Sequence, residues 1–136
     1  MIVVDASTLA KYVLHEDGWE EVSRYIREKR PLYSIDHVLK EVANAIWKHT
    51  FIRKLITIEV ALRLYDLLER LVISQAIILE TELKYVRRAI EIALKYGITV
   101  YDALYIAQAE KYGELLTSDE KQGNISRELK IRVYMV

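Results

Sequence analysis

The chain has no cysteine in its 136 residues. That excludes disulfides, thiolate zinc sites and cysteine nucleophiles. It has one proline, Pro31, and four glycines. There is accordingly no linker, no low-complexity tract and no glycine-rich loop to cradle a phosphate. Its three histidines, His15, His37 and His49, form no close-spaced ligand pair. No apolar run reaches the length of a membrane span. Residues 1–5, Met-Ile-Val-Val-Asp, have no basic stretch before the apolar run and meet an acid at once, so a signal peptide is not expected. The expected location is the cytoplasm. Neither sign of charge is in excess, with 20 Lys plus Arg against 20 Asp plus Glu. Global attraction to nucleic acid is therefore absent, and any such binding falls to local patches or bound cations.

What is present is the composition of a folded domain. Hydrophobic residues make up 52% and charged residues 29%, the balance of a globular chain rather than a disordered one. The length suits one domain over residues 1–136, able to bury roughly 68% of its unfolded surface.

Short apolar runs alternate with helical patterns along the chain. Residues 2–4 read as a buried strand ended by Asp5, and Asp5 or Ser7 caps a helix to Leu14. After a turn at 16–18, Trp19, Val22, Tyr25 and Ile26 recur at helical spacing up to Lys29. A second strand covers 32–34. Asp36 is placed to cap a long helix carrying Val38, Leu39, Val42, Ala45, Ile46 and His49. Thr57 starts another, carrying Val60, Ala61, Leu64, Leu67, Leu68 and Leu71. Residues 76–79 form a third strand. A helix from Leu83 stops at Gly97, and the next, opening at Thr99, stops at Gly113. A fourth strand over 114–117 leads to Ser118-Asp119. A short helix over 125–129 precedes a last strand over 131–134. No strand shows clean inside–outside alternation, the mark of a parallel sheet covered on both faces. The expected fold is α/β, a three-layer α/β/α sandwich around a parallel sheet of about five short strands.

In such a sheet, ligands bind outside the carboxyl ends of the strands. Asp5 directly follows the first strand and Asp119 lies two residues beyond the fourth. Glu41 lies early in the helix after the second strand, on the same face as Val38 and Ala45. Asp102 opens the helix that starts at Thr99. Each acid has a plainer reading. Asp5 serves as a helix cap, Asp102 as an acid matched to the helix dipole, Asp119 as a turn residue, and Glu41 as a partner for Lys11. Together they place four carboxylates on one rim, where they repel unless protonated or bound to cations. Hard oxygen ligands without His or Cys favour Mg²⁺ or Mn²⁺, the ions that many nucleases and phosphatases use. Ser7, Asn44 and Thr117 are candidate supporting groups. Lys11, Lys48 and Lys121, near the rim, are candidates to hold a phosphate backbone.

These residues resemble a known family. Val3-Val4-Asp5-Ala6-Ser7, Glu41-Val42-Ala43-Asn44-Ala45, Tyr101-Asp102-Ala103-Leu104-Tyr105-Ile106-Ala107 and Leu116-Thr117-Ser118-Asp119 occur in this order and spacing. They are similar to the motifs of PIN domains, and more narrowly of the VapC-type toxin nucleases of prokaryotic toxin–antitoxin pairs. The resemblance implies a PIN-like fold and a Mg²⁺- or Mn²⁺-dependent endoribonuclease with Asp5, Glu41, Asp102 and Asp119 as metal ligands. It also implies that Ser7 and Thr117 support the acids, that the chain forms a homodimer, and that a cognate antitoxin covers apolar helices beside the site. Some relatives carry a further acid after the fourth; here Asn124 or Glu120 stands in that region.

Rival acid-rim folds fit less well. A haloacid-dehalogenase-type phosphatase needs an Asp where this chain has Ser7. A receiver domain needs a phosphoacceptor Asp after the third strand, where this chain has Glu80-Thr81. Two alternatives stay open: a PIN-like protein-binding module without nuclease activity, and a housekeeping RNA-processing nuclease.

Overall fold

The apolar runs form the strands of one parallel sheet. The structure, a computed structural model, describes residues 1–136. The strands are β1 (Ile2–Val4), β2 (Leu32–Ile35), β3 (Ile77–Glu80), β4 (Glu114–Thr117) and β5 (Arg132–Met135). They lie in the order β3-β2-β1-β4-β5, and every pairing is parallel. The chain first builds outward on one side of β1, then returns with β4 to the other side. The order therefore reverses between β1 and β4, and the crevice at their carboxyl ends is the place where such sheets bind ligands.

Seven helices complete the sandwich: α1 (Ala6–Leu14), α2 (Trp19–Lys29), α3 (Val38–Trp47), α4 (Ile58–Ile73), α5 (Val86–Tyr96), α6 (Val100–Tyr112) and α7 (Glu120–Glu128). α1 packs against α2, α3 and α4, whereas α6 packs on β1, β2 and β4 and touches α5 and α7. No helix is long and apolar enough to cross a membrane. Four helix starts are fixed by side-chain oxygens that accept from the first turn: Asp5 from the Thr8 amide, Thr57 from Val60, Thr99 from Asp102 and Asp119 from Gln122. Gly97 and Gly113 end α5 and α6 with φ of 69° and 91°, a left-handed turn that costs glycine little.

α6 is the central helix. The sequence predicts an inner face of Ala103, Ile106 and Ala107. In the fold all seven residues from Ala103 to Ala109 are buried, Tyr105 and Gln108 included. Sheet below, α5 above and α7 at the side leave no face for water, so periodicity understates the burial.

Several boundaries differ from the expectation. Asp36 does not cap α3. Its amide continues the ladder to the Glu80 carbonyl, and its Oδ1 accepts from the Glu82 amide at 3.1 Å. α3 starts instead from His37, which has helical backbone and no side-chain cap. α3 ends at Trp47, and His49 falls in a five-residue π-helical turn, Lys48–Ile52. The residues before α5 form a short 3₁₀ turn, Glu82–Lys84, so Leu83 lies outside the helix. α7 begins at Glu120 rather than 125, because the Asp119 cap nucleates it directly after β4. The second, third and last strands run to Ile35, Glu80 and Met135, one residue further than expected.

Candidate functional site

All four acids reach the carboxyl rim, through two local devices. Asp5 stands between β1 and α1, Asp119 between β4 and α7, Asp102 in the first turn of α6 and Glu41 in the first turn of α3. All four sit at helix N-termini, where the dipole favours negative charge. The β1–β4 register aligns Val4 with Leu116, which sets Asp5 beside Thr117.

Asp5 is fully buried. Its Oδ1 accepts from the Thr8 amide at 3.0 Å and from Ser7 Oγ at 3.0 Å. Its Oδ2 accepts from Thr117 Oγ1 at 2.5 Å. Burial pushes its pKa up, while the hydrogen bonds from Thr117, Thr8 and Ser7 pull the other way. Thr117 Oγ1 also accepts from the Asp119 amide at 3.0 Å, and Asp119 Oδ1 accepts from the Gln122 amide at 3.0 Å.

Glu41 is held differently. Its Oε2 accepts from Tyr105 Oη of α6 at 2.7 Å, and its Oε1 lies 3.5 Å from His37 Nε2, one helical turn back. Burial raises its pKa, the Tyr105 hydrogen bond and His37 oppose that, and the nearby Asp102 and Asp5 charges raise it further. Burial also raises the pKa of Asp102, with the Asp119 charge adding to it; Thr99, Gln122 and Lys121 act in the opposite sense. Burial and Glu41 together push the Tyr105 hydroxyl far up, which keeps it a donor.

The acids thus feel one another, and no lysine or arginine forms an ion pair with them. Glu41 pairs only with His37, and Asp5, Asp102 and Asp119 form no ion pair. Lys11, weighed as a partner for Glu41, instead donates to the main-chain oxygen of Val136 at 3.0 Å. No three acid or histidine side chains are drawn in as a closed ligand set. The donor set fits a hard divalent ion: carboxylate oxygens, no thiolate, one carboxylate buried and oriented by three donors.

Ser7 and Thr117 both bond Asp5. Asn44 is exposed one turn beyond Glu41 and shares a concavity with it. Lys121 lies near enough to Asp102 to stabilise its charge, and Lys48 is exposed where the π-turn begins. Asn124 Oδ1 accepts from Arg127 at 3.1 Å on the outer face of α7, and Glu120 is exposed one turn before it.

Four contributors escaped the sequence reading: Thr8, His37, Tyr105 and Gln122. His37 and Glu41 are four apart on one helix, a spacing that pairs side chains. Gln122 follows the Asp119 cap by three, and its buried Oε1 has no partner in the chain. Tyr105 carries no such signal, because its partner is 64 residues away.

Comparison with known proteins identifies the family. The PIN domain model matches residues 2–128. The chain is 36% identical over 121 residues to Ribonuclease VapC3 of Pyrobaculum aerophilum, covering 88% of this chain and 90% of that protein. Its fold is similar to that of PAE2754 from Pyrobaculum aerophilum, with a TM-score of 0.70, 23% identity and coverage of 97% of this chain and 81% of that one. It is also similar to Mycobacterium tuberculosis VapC20, a sarcin-ricin loop cleaving toxin, with a TM-score of 0.68, 18% identity and coverage of 97% and 99%. With the family's pattern spanning nearly its whole length and a VapC relative at this identity, the chain belongs to the PIN domain family, among its VapC-type members.

Proposed function

We propose that the chain is a Mg²⁺- or Mn²⁺-dependent endoribonuclease that hydrolyses RNA phosphodiester bonds, and that it is the toxin of a type II toxin–antitoxin pair. One observation carries the reading: four carboxylates share a rim at the β1–β4 switch point, Glu41 feels the charges of Asp102 and Asp5, Asp102 feels that of Asp119, and no lysine or arginine forms an ion pair with any of them. The ribonuclease VapC3 relative supports the same substrate class.

In this account Asp5, Glu41, Asp102 and Asp119 hold the ion. A bound Mg²⁺ or Mn²⁺ supplies Lewis acidity toward the phosphate and lowers the pKa of water at the site. The chain's own work is orientation. Ser7, Thr8 and Thr117 fix the Asp5 carboxylate, and Tyr105 and His37 aim Glu41. Lys121, Lys48 and Lys11 supply positive charge toward an RNA backbone, and Asn44 offers an amide beside Glu41.

A cytoplasmic homodimer held by a cognate antitoxin completes the proposal. Unpartnered apolar surface supports partners of that kind. A groove of about 280 Å³ between the end of α3 and α4 is lined by Ile46, Trp47, Phe51, Ile58 and Leu62. Val86, Ile90 and Leu94 form a second exposed row along α5.

The test is RNA cleavage by purified protein in EDTA, then after addition of Mg²⁺ or Mn²⁺. Cleavage that appears only with the ion supports the proposal. Absence of cleavage with either ion, or cleavage that is indifferent to EDTA, contradicts it.

A further inference from the structure

Beside the acid rim lies a concavity of about 310 Å³ lined by His37, Lys40, Glu41, Asn44 and Tyr101. It differs in kind from the apolar groove on α4, because four of its five lining residues are polar or charged. Its one large aromatic is Tyr101, the residue before Asp102. The Tyr101 ring stacks on His37 with centroids 4.9 Å apart and planes 12° from parallel. His37 covers one face of the ring, yet Tyr101 is 58% exposed, so the opposite face is open to solvent.

The backing ring is itself fixed. His37 Nε2 faces Glu41 at 3.5 Å, and Nδ1 faces Glu82 at 3.8 Å. Glu41 and Glu82 flank the imidazole at its two edges, and the imidazole stacks on the tyrosine. An exposed aromatic is ordinarily free to change rotamer; this one is stacked in place. A fixed, open π-face is the feature that single-stranded nucleic acid uses, since every base has a π-face to lay on it. The surrounding groups suit the rest of a nucleotide. The Asn44 amide offers both a donor and an acceptor to a base edge, and exposed Lys40 offers an ammonium to a phosphate. An apolar protein side chain finds no comparable complement here.

Resting on the ribonuclease reading, we propose that Tyr101, backed by His37, is the stacking platform for one nucleobase of single-stranded RNA, adjoining the phosphate at the acid rim. Tyr101 and Asp102 are consecutive, and Glu41 lines the same concavity, so a base on this ring adjoins the phosphate the acids serve. Tyr101 is then a positioning residue, acting on register and affinity rather than on the reacting atoms.

The experiment uses fluorescein-labelled twelve-nucleotide single-stranded RNAs: oligo-A, oligo-U, oligo-C and a mixed sequence. Binding is read by anisotropy in Ca²⁺, and cleavage kinetics are read separately in Mn²⁺. The variants are Tyr101→Phe, Tyr101→Trp, Tyr101→Leu and Tyr101→Ala. Leu keeps His37 covered but removes the flat ring, and an exposed first-turn position tolerates all four, which thermal unfolding checks.

Phe and Trp are expected to bind within about twofold of wild type, and Leu and Ala to weaken binding about 5- to 100-fold. In cleavage the loss appears in KM more than in kcat. An abasic site walked along the mixed RNA erases the difference between wild type and Tyr101→Leu at one position. The platform is overturned if wild type binds none of the RNAs, if Leu and Ala bind as wild type does, or if no abasic position removes the difference. A wild type that binds with this pattern but never cleaves contradicts the ribonuclease reading and supports the platform.

Discussion

Thr117 Oγ1 donates to Asp5 Oδ2 at 2.5 Å and accepts from the Asp119 amide at 3.0 Å. One buried hydroxyl thus joins the ends of β1 and β4 and fixes two of the four acids. Its two bonds run in opposite senses, so they orient each other. Thr117→Val keeps the shape and removes both. It leaves a buried carboxylate oxygen and an amide short of partners, and is expected to cost about 1–3 kcal/mol of stability. Thr117→Ser keeps the hydroxyl and recovers most of the loss. Denaturant melts of the three proteins check this; equal midpoints for wild type and Val contradict it.

Tyr105 Oη reaches Glu41 across the interface between α6 and α3. Tyr105→Phe removes the hydroxyl and leaves the buried ring in place. Stability is expected to change by about 1 kcal/mol. Divalent-ion affinity and cleavage rate are expected to fall about 10- to 100-fold, as when a metal ligand loses its supporting bond. Isothermal titration with Mn²⁺ measures the first and a cleavage time course the second. Unchanged affinity and rate contradict the role given to Tyr105.

The pH dependence has two opposed parts. Burial raises the pKa of Asp5, Glu41 and Asp102, and neighbouring acids add to it for Glu41 and Asp102. Between the unfolded value of about 4 and the raised values, the folded chain binds more protons than the unfolded one, so stability falls as pH rises through that window. Glu80 behaves oppositely. Burial pushes its pKa up, but bonds from Tyr85 (2.7 Å), Gln108 (3.0 Å) and Lys84 (3.1 Å) outweigh that and bring it down to about 2. Its contribution is present above its unfolded pKa and is lost as pH falls toward about 2.

In EDTA, the unfolding temperature is therefore expected to decline on both sides of a maximum. Mg²⁺ or Mn²⁺ is expected to abolish the decline on the alkaline side, because an ion that binds only the folded state stabilises it. Asp5→Asn is expected to flatten the same limb without metal. A metal-free curve that rises steadily from acid to neutral pH contradicts the assignment.

The sheet was readable because its strands are buried on both faces and bounded by sharp terminators. The rim was readable because strand ends determine where Asp5 and Asp119 stand. Local rules go no further than local structure. Asp36 has the right residue type for a cap, yet the longer β2–β3 ladder takes its amide and Glu82 takes its carboxylate. Glu41 invited a salt bridge on its own side of the sheet, but its strongest partner arrives from α6, 64 residues later. The π-turn at Lys48–Ile52 follows α3 without a proline or glycine, so no breaker in the sequence announces it.

The central claim is that the rim acids act together to make this chain a metal-dependent ribonuclease. The most direct measurement compares RNA cleavage by wild type, Asp5→Asn and Asp102→Asn, side by side in Mn²⁺, with all three shown to be folded. The account predicts cleavage by wild type and a fall to the protein-free background in both variants. Equal cleavage by all three proteins would contradict it.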